Sequence, residues 1–212
     1  VYKYWKGKSV RCRLDAALPH SVKDLVETTP MCAIMADEEA SSVEPNYERL
    51  FQIGLNGVIE EAENRLDELE ADMATDARDF VERKNFYQAV IISLRVAIEF
   101  SQRYAELARE MAKGGKNEKR KKELEEIAEI CDWVPANPPR TLHEAKQGYY
   151  LCELINRQVE GQGVAVLTRL DVLMNPFYQK DKEKGRITRE EAQELMEFLL
   201  VKFEEWGQLN PP

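Results

Sequence analysis

Apolar residues recur along most of the 212-residue chain with the 3.6-residue period of amphipathic helices. The first such run opens at Pro45, read as a first helical position, with Tyr47, Leu50, Gly54, Val58 and Leu66 on one stripe. Gly54 and Gly57 fall inside it at a cost of about 1 kcal/mol each relative to alanine, so close packing against another element is expected to compensate. A second, longer helix is predicted over 80–113. Its apolar positions, among them Phe86, Val90, Ile91, Leu94, Ile98, Tyr104 and Ala108, span an arc wide enough to predict cover on more than one side. Gly114 and Gly115 are expected to end it. A shorter helix is predicted over 118–131, followed by the proline-stiffened connector "WVPANPPR".

Two further helices carry start signals of their own. "TLHE" at 141–144 and "TREE" at 188–191 are capping boxes, in which the threonine hydroxyl and the glutamate three residues on satisfy opposite ends of the first turn. The second of these helices is predicted to end near Trp206. Between the two lies "QVEGQGVAVLTRLD", residues 158–171, an apolar run flanked by glycines that reads as a buried strand or an apolar loop. The predicted fold is therefore mainly α with little strand.

Composition narrows the class. With 43% apolar and 33% charged residues the chain can bury a core and is not a disordered segment. A net charge of −9 argues against non-specific nucleic-acid binding, because a phosphate-binding surface is basic. The basic run "KGGKNEKRKK" at 113–122 leads straight into "ELEEIAEI" and reads as a solvated entry to a helix. No apolar run approaches the roughly 20 residues of a membrane span. Cys12, Cys32, Cys131 and Cys152 are widely spaced and form no C-x-x-C pair, which suits reduced thiols and a cytoplasmic setting.

Candidate chemistry is sparse at this level. Carboxylate pairs such as Glu60–Glu61 read as solvated helix faces. With only His20 and His143, no histidine-rich metal site is expected, and His143 in a first helical turn points to capping or packing. Nucleotide-binding, zinc-protease and serine-hydrolase signatures are missing. On these features alone a catalytically silent helical scaffold or interaction module is the favoured reading over an enzyme. The chain starts at Val1 without a methionine and closes on "GQLNPP" directly after a helix, so a piece of a longer polypeptide is expected.

Five segments, in order, carry a resemblance. "YWKGKSV" resembles the P-Y-W-K-G-K-S segment of glycyl radical enzymes, the pyruvate formate-lyase superfamily. "PNYERLFQIGLNGVIEEAENRL" resembles that family's P-D-Y-x-K-V-L-x-I-G-L-x-G-I-I-E-E-A stretch. "FYQAVIISLRVAIEFSQRYAELAREMA" and "ELEEIAEICDWVPANPPRTLHEAKQ" are similar to its long core helix and the helix and connector that follow. "RLDVLMNPFYQKDKEKGRITREEAQEL" resembles R-x-D-Q-Y-x-Y-P-F-Y-x-x-D-x-x-x-G-x-I-T-x-E-E-A-Q-E-L. The match is collinear over nearly the whole chain, 1–212, as part of a single domain.

The resemblance implies a helical segment of a ten-stranded α/β barrel, whose chemistry runs between a glycyl radical in R-V-x-G-Y and a thiyl cysteine in G-C-x-E. Both loops lie downstream of the matched region, so no catalytic residue, metal or organic cofactor is expected within these residues. The radical would be installed by a separate S-adenosylmethionine-dependent [4Fe-4S] activating enzyme, and the complete protein would be a homodimeric lyase or decarboxylase acting on a small organic molecule. Diol-dehydrating relatives carry a substrate-touching G-H histidine ahead of the "D-Y" helix; counting back from Tyr47 puts Ser42 there. They also carry a His-Ser pair in N-G-H-S-I-S-P-x-R-x-D, and an ungapped count from Thr141 to Arg169 puts Gly163 and Val164 at those positions. Ser42, Gly163 and Val164 are thus implied to line the substrate pocket, without the groups that would hold a polyol.

Overall fold

The computed structural model describes residues 16, 17, 19–22, 45–72, 76–115, 117–156 and 169–204. The chain divides into two compact units, one formed by 1–43 with 161–166 and one by 44–160 with 167–212. In the first, the described residues are 16, 17 and 19–22, helical at 16–17 and 20–22, and the Val22 amide donates to the Pro19 carbonyl at 2.9 Å. The helices described below belong to the second unit. Its described residues form six long helices and no strand: α1 (Tyr47–Ala71), α2 (Ala77–Gly114), α3 (Glu118–Trp133), α4 (Leu142–Leu154), α5 (Leu170–Glu183) and α6 (Arg189–Glu204).

Short polar side chains set most of the helix starts. Asn46 accepts from the Arg49 amide at 3.0 Å and is the cap of α1, which moves Pro45 from the first turn to the residue before the cap. Asp76 caps α2 by accepting from the Arg78 amide, and Asn117 caps α3 through the Lys119 and Arg120 amides. The Thr188 box closes reciprocally: the Glu191 amide reaches Thr188 Oγ1 at 3.1 Å and the Thr188 amide reaches Glu191 Oε2 at 2.8 Å. The Thr141 box closes on one side only. Thr141 Oγ1 accepts from the Glu144 amide, but Glu144 turns to the Arg140 amide and guanidinium instead. Gly115 after α2 has φ −79°, so that helix ends without the left-handed turn a glycine pair suggests.

Gly54 behaves differently from the expected helix-interior glycine. At φ 66° and ψ 177° it breaks α1 into two segments, a backbone state that side-chain-bearing residues rarely adopt. The connector between α3 and α4 takes over the freed amides, with Leu55 donating to the Pro135 carbonyl at 3.0 Å and Asn56 to the Ala136 carbonyl at 2.9 Å. A Cβ on Gly54 would lie 2.5 Å from the Ala136 carbonyl oxygen and 2.7 Å from Asn137 Cα. The glycine is where two backbones touch, which is the close packing its sequence context called for.

The core has three parts. Tyr47, Leu50, Phe51 and Leu55 of α1 pack with Tyr149 of α4, Met174 of α5 and Leu199 of α6. Ile59 and Ala62 of α1 meet Ile91 of α2. On the other end of α2, Ala105, Ala108 and Ala112 let α3 approach closely through Leu124, Ala128 and Cys131. Of the wide arc on α2 expected to be covered on more than one side, Ile91 and Ala108 are buried, whereas Phe86 stays 63% exposed and Tyr104 is also exposed. α5 is tied in by Asp181, a buried carboxylate that accepts from the Leu142 amide at 2.7 Å and from the Arg186 guanidinium, so it caps α4 from a neighbouring helix.

Candidate functional site

Ser42, Gly163 and Val164 lie outside the described residues, as does the run from 158 to 168. Of the "QVEGQGVAVLTRLD" stretch, residues 169–171 are described, and there the chain is already turning into α5 rather than running as a strand: Arg169 is the cap and Leu170 the first helical residue. The Arg169 guanidinium grips Asp171 through Nε at 2.8 Å and Nη2 at 2.6 Å, and this pairing holds the Asp171 carboxyl down at about 2.

The described residues that flank the candidate segments are joined to one another. Tyr47 stands five residues after Ser42, and Glu153 ten residues before Gly163. Both are almost fully buried, and the Tyr47 hydroxyl donates to Glu153 Oε1. The Tyr149 ring lies against Tyr47 with centroids 4.3 Å apart and against Phe203 at 6.0 Å. Burial, and then the carboxylate beside it, push the Tyr47 phenol above its ordinary range, so it keeps its proton and acts as a fixed donor. This knot holds the start of α1 against the end of α4.

The thiols are held protonated. Burial pushes Cys152 up to about 12, with Glu153 adding to the effect, and pushes Cys131 up to about 11. At neutral pH neither is an ionised nucleophile. Cys131 and Cys152 are free; Cys12 and Cys32 lie outside the described residues. At the α3–α4 contact, His143 Nδ1 is 3.0 Å from Glu126 Oε1. Burial, and then the Lys146 charge, lower the His143 pKa, which suits a neutral packing role, while burial also lowers that of Lys146. Among the described residues no group of three His, Cys, Asp or Glu side chains could hold a metal ion, and no helix is long and apolar enough to cross a membrane.

Beside the core, α4, α5 and α6 enclose a cleft of about 300 Å³ walled mainly by Leu142, Met174, Tyr178, Ala192 and Met196. The sequence reading missed this cleft, because it assigned no helix to 170–183. It also missed the Tyr47–Glu153 pair. The available signal was Glu153 itself, a lone acid in the apolar run "GYYLCELI".

The model of the family described as "Pyruvate formate lyase-like" matches residues 1–212. Isethionate sulfite-lyase from Oleidesulfovibrio alaskensis is 37% identical over 210 residues, covering 95% of this chain and 25% of that protein. The glycerol-bound B12-independent glycerol dehydratase from Clostridium butyricum superposes with a TM-score of 0.73 at 28% identity, over 95% of this chain and 25% of that one. Hydroxyproline dehydratase from Clostridioides difficile, solved with trans-4-hydroxy-L-proline bound, gives 0.71 at 32% identity, over 100% of this chain and 26% of that one. The chain spans about a quarter of the length of these relatives. With a collinear match from its first residue to its last, the chain belongs to the pyruvate formate lyase-like family of glycyl radical enzymes.

Proposed function

We propose that these 212 residues are an N-terminal part of a single-domain, barrel-forming glycyl radical lyase or decarboxylase that cleaves a C–C or C–X bond of a small organic molecule. The observation that carries this is the family match over 1–212 at a quarter of the relatives' length. The cysteine and glycine loops belong to the remainder of that longer chain, and a separate S-adenosylmethionine-dependent activating enzyme installs the radical. The complete protein works as a cytoplasmic homodimer. The relatives named above act on isethionate, glycerol and trans-4-hydroxy-L-proline, all small and oxygenated.

In this reading Ser42, Gly163 and Val164 face the substrate cavity. The family match, which runs over 1–212 and so includes all three positions, supports it. A buried hydroxyl without a partner costs about 1–3 kcal/mol, so Gly163 and Val164 make a poor clamp for a diol. Gly163 leaves room and Val164 supplies apolar wall, which selects a bulkier or less polar substrate.

The reading frame beyond Pro212 tests the assignment first: G-C-x-E followed by R-V-x-G-Y is expected, and a stop codon would sink it. In the full-length enzyme, activated anaerobically, a glycyl-radical doublet in electron paramagnetic resonance is expected, whereas the 212-residue chain alone should give none. Gly163→Phe should block binding. Val164→Ser should raise KM about five- to 150-fold for an apolar substrate, the factor matching the unpaired hydroxyl. Wild-type kcat/KM in both variants would move these residues from cavity to core.

A further inference from the structure

The cleft between α4, α5 and α6 joins an apolar floor to a mouth rich in unused hydrogen-bond donors. Met174 and Tyr178 fall at i and i+4 on α5, and Ala192 and Met196 at i and i+4 on α6, so each helix turns one apolar stripe into the same space. At the mouth the acceptors are largely engaged. The Asp171 carboxylate is gripped by the Arg169 guanidinium, and Asn175 Oδ1 accepts from Gln179 Nε2 at 3.2 Å. Gln193 donates to Glu197 Oε1 at 2.7 Å, which leaves its amide oxygen as an acceptor. The donors are in the opposite state. The Arg189 guanidinium, Asn175 Nδ2 and the Tyr178 hydroxyl line the cleft without a hydrogen-bond partner among the described residues. Lys182 Nζ, 5.7 Å from the Tyr178 ring centroid, adds a second positive charge beside that end.

From this arrangement we infer that the cleft is a binding site for a small organic carboxylate, its apolar body between α5 and α6 and its carboxylate on Arg189. Charge complementarity selects this class. A guanidinium is planar and presents paired N–H donors that match the two oxygens of one carboxylate. The carboxylate of Asp171, which could otherwise fill that role, is already taken by Arg169. A cationic ligand would meet Arg189 with no free carboxylate to offset it, and a purely apolar one would leave the free donors unused. The size is also bounded. At about 30 Å³ per water-sized volume, a cleft of about 300 Å³ has room for about ten non-hydrogen atoms, the lower end of the range for small-molecule sites. The site is built from α4, α5 and α6 alone, so it stands or falls independently of the roles proposed for Ser42, Gly163 and Val164.

The test uses the complete encoded polypeptide, not activated, carrying methyl-13C methionine. The probe is 3-phenylpropionate, with 3-phenylpropan-1-ol as its uncharged counterpart. The methyl signals of Met174 and Met196, assigned through Met174→Leu and Met196→Leu, should shift on titration with the carboxylate and saturate with a Kd in the millimolar range or below. Arg189 is exposed, so Arg189→Gln should leave the ligand-free methionine spectrum unchanged. It should weaken carboxylate binding at least tenfold and leave that of the alcohol as it was. Arg189→Lys, which keeps the charge without the planar fork, should fall between the two. No shift at either methionine at about 20 mM probe would mean that the cleft is closed, filled by another part of the chain or by a second copy, and would overturn the inference. Shifts that ignore Arg189→Gln, or that are equal for acid and alcohol, would overturn it as well, leaving an apolar cleft without preference for an anion.

Discussion

Toward α3, α2 presents Ala105, Ala108 and Ala112, whereas its far side carries Leu107 and Met111. The small residues are inside and the large ones outside, the reverse of a helix that solvent surrounds on its far side. Small side chains let two helix axes approach closely, so the inner face is shaped for one neighbour at short range. Large side chains on the outer face gain from burial in proportion to the area removed from water, about 25 cal/mol per Å², and within the described residues little of that gain is realised. The contrast separates a face of α2 that is packed among the described residues from one that stays exposed there.

The comparison breaks most severely at the completed contacts. Gly54→Val places a branched Cβ 2.5 Å from the Ala136 carbonyl at a positive φ, and should destabilise the chain by roughly 3 kcal/mol or more in a denaturant titration. Ala105→Leu, overfilling the fully buried inner face of α2, should cost about 1–3 kcal/mol in the same assay. On the outer face, Leu107→Gln in the 212-residue chain should change stability by no more than about 0.5 kcal/mol. A large loss there would mean that the outer face is already covered.

The smallest effect is a pH slope. His143 packs where burial opposes its charge, with Lys146, Glu126 and Glu144 facing it, and its folded pKa lies below the ordinary 6.5. In the window just below 6.5 the unfolded chain binds a proton that the folded chain resists. Stability should therefore fall as pH drops through that window. His143→Gln should flatten this part of the stability–pH curve. An unchanged slope would place the titrating group elsewhere.

Much of the helical frame was legible because its signals are local. The Thr141 and Thr188 boxes and the glycine pair after α2 bracket helices whose observed bounds differ from expectation by a few residues. α5 was not legible, because Pro176 and Asn175 inside it read as punctuation, while its anchoring depends on Asp181 reaching the Leu142 amide from a different helix. The break at Gly54 was half-legible: the sequence marked a close approach but could not show that the partner was a backbone 82 residues away, at Ala136. Pairings such as Tyr47 with Glu153 depend on where α1 and α4 meet, which no local period encodes. The pocket positions came from the family resemblance alone, since a glycine and a valine carry no chemical signature of their own.

The joint at Gly54 also bears on the order in which the chain assembles. The α2–α3 pair is contiguous in sequence and can form through short-range contacts. The amides of Leu55 and Asn56, however, find their acceptors only once residues 134–136 have been carried back across that whole hairpin. Closing so long a loop is entropically expensive and slow relative to local helix pairing. In hydrogen exchange those two amides should therefore report on the seating of the connector rather than on the fraying of α1, and they should gain protection together, after the amides in the middle of α2.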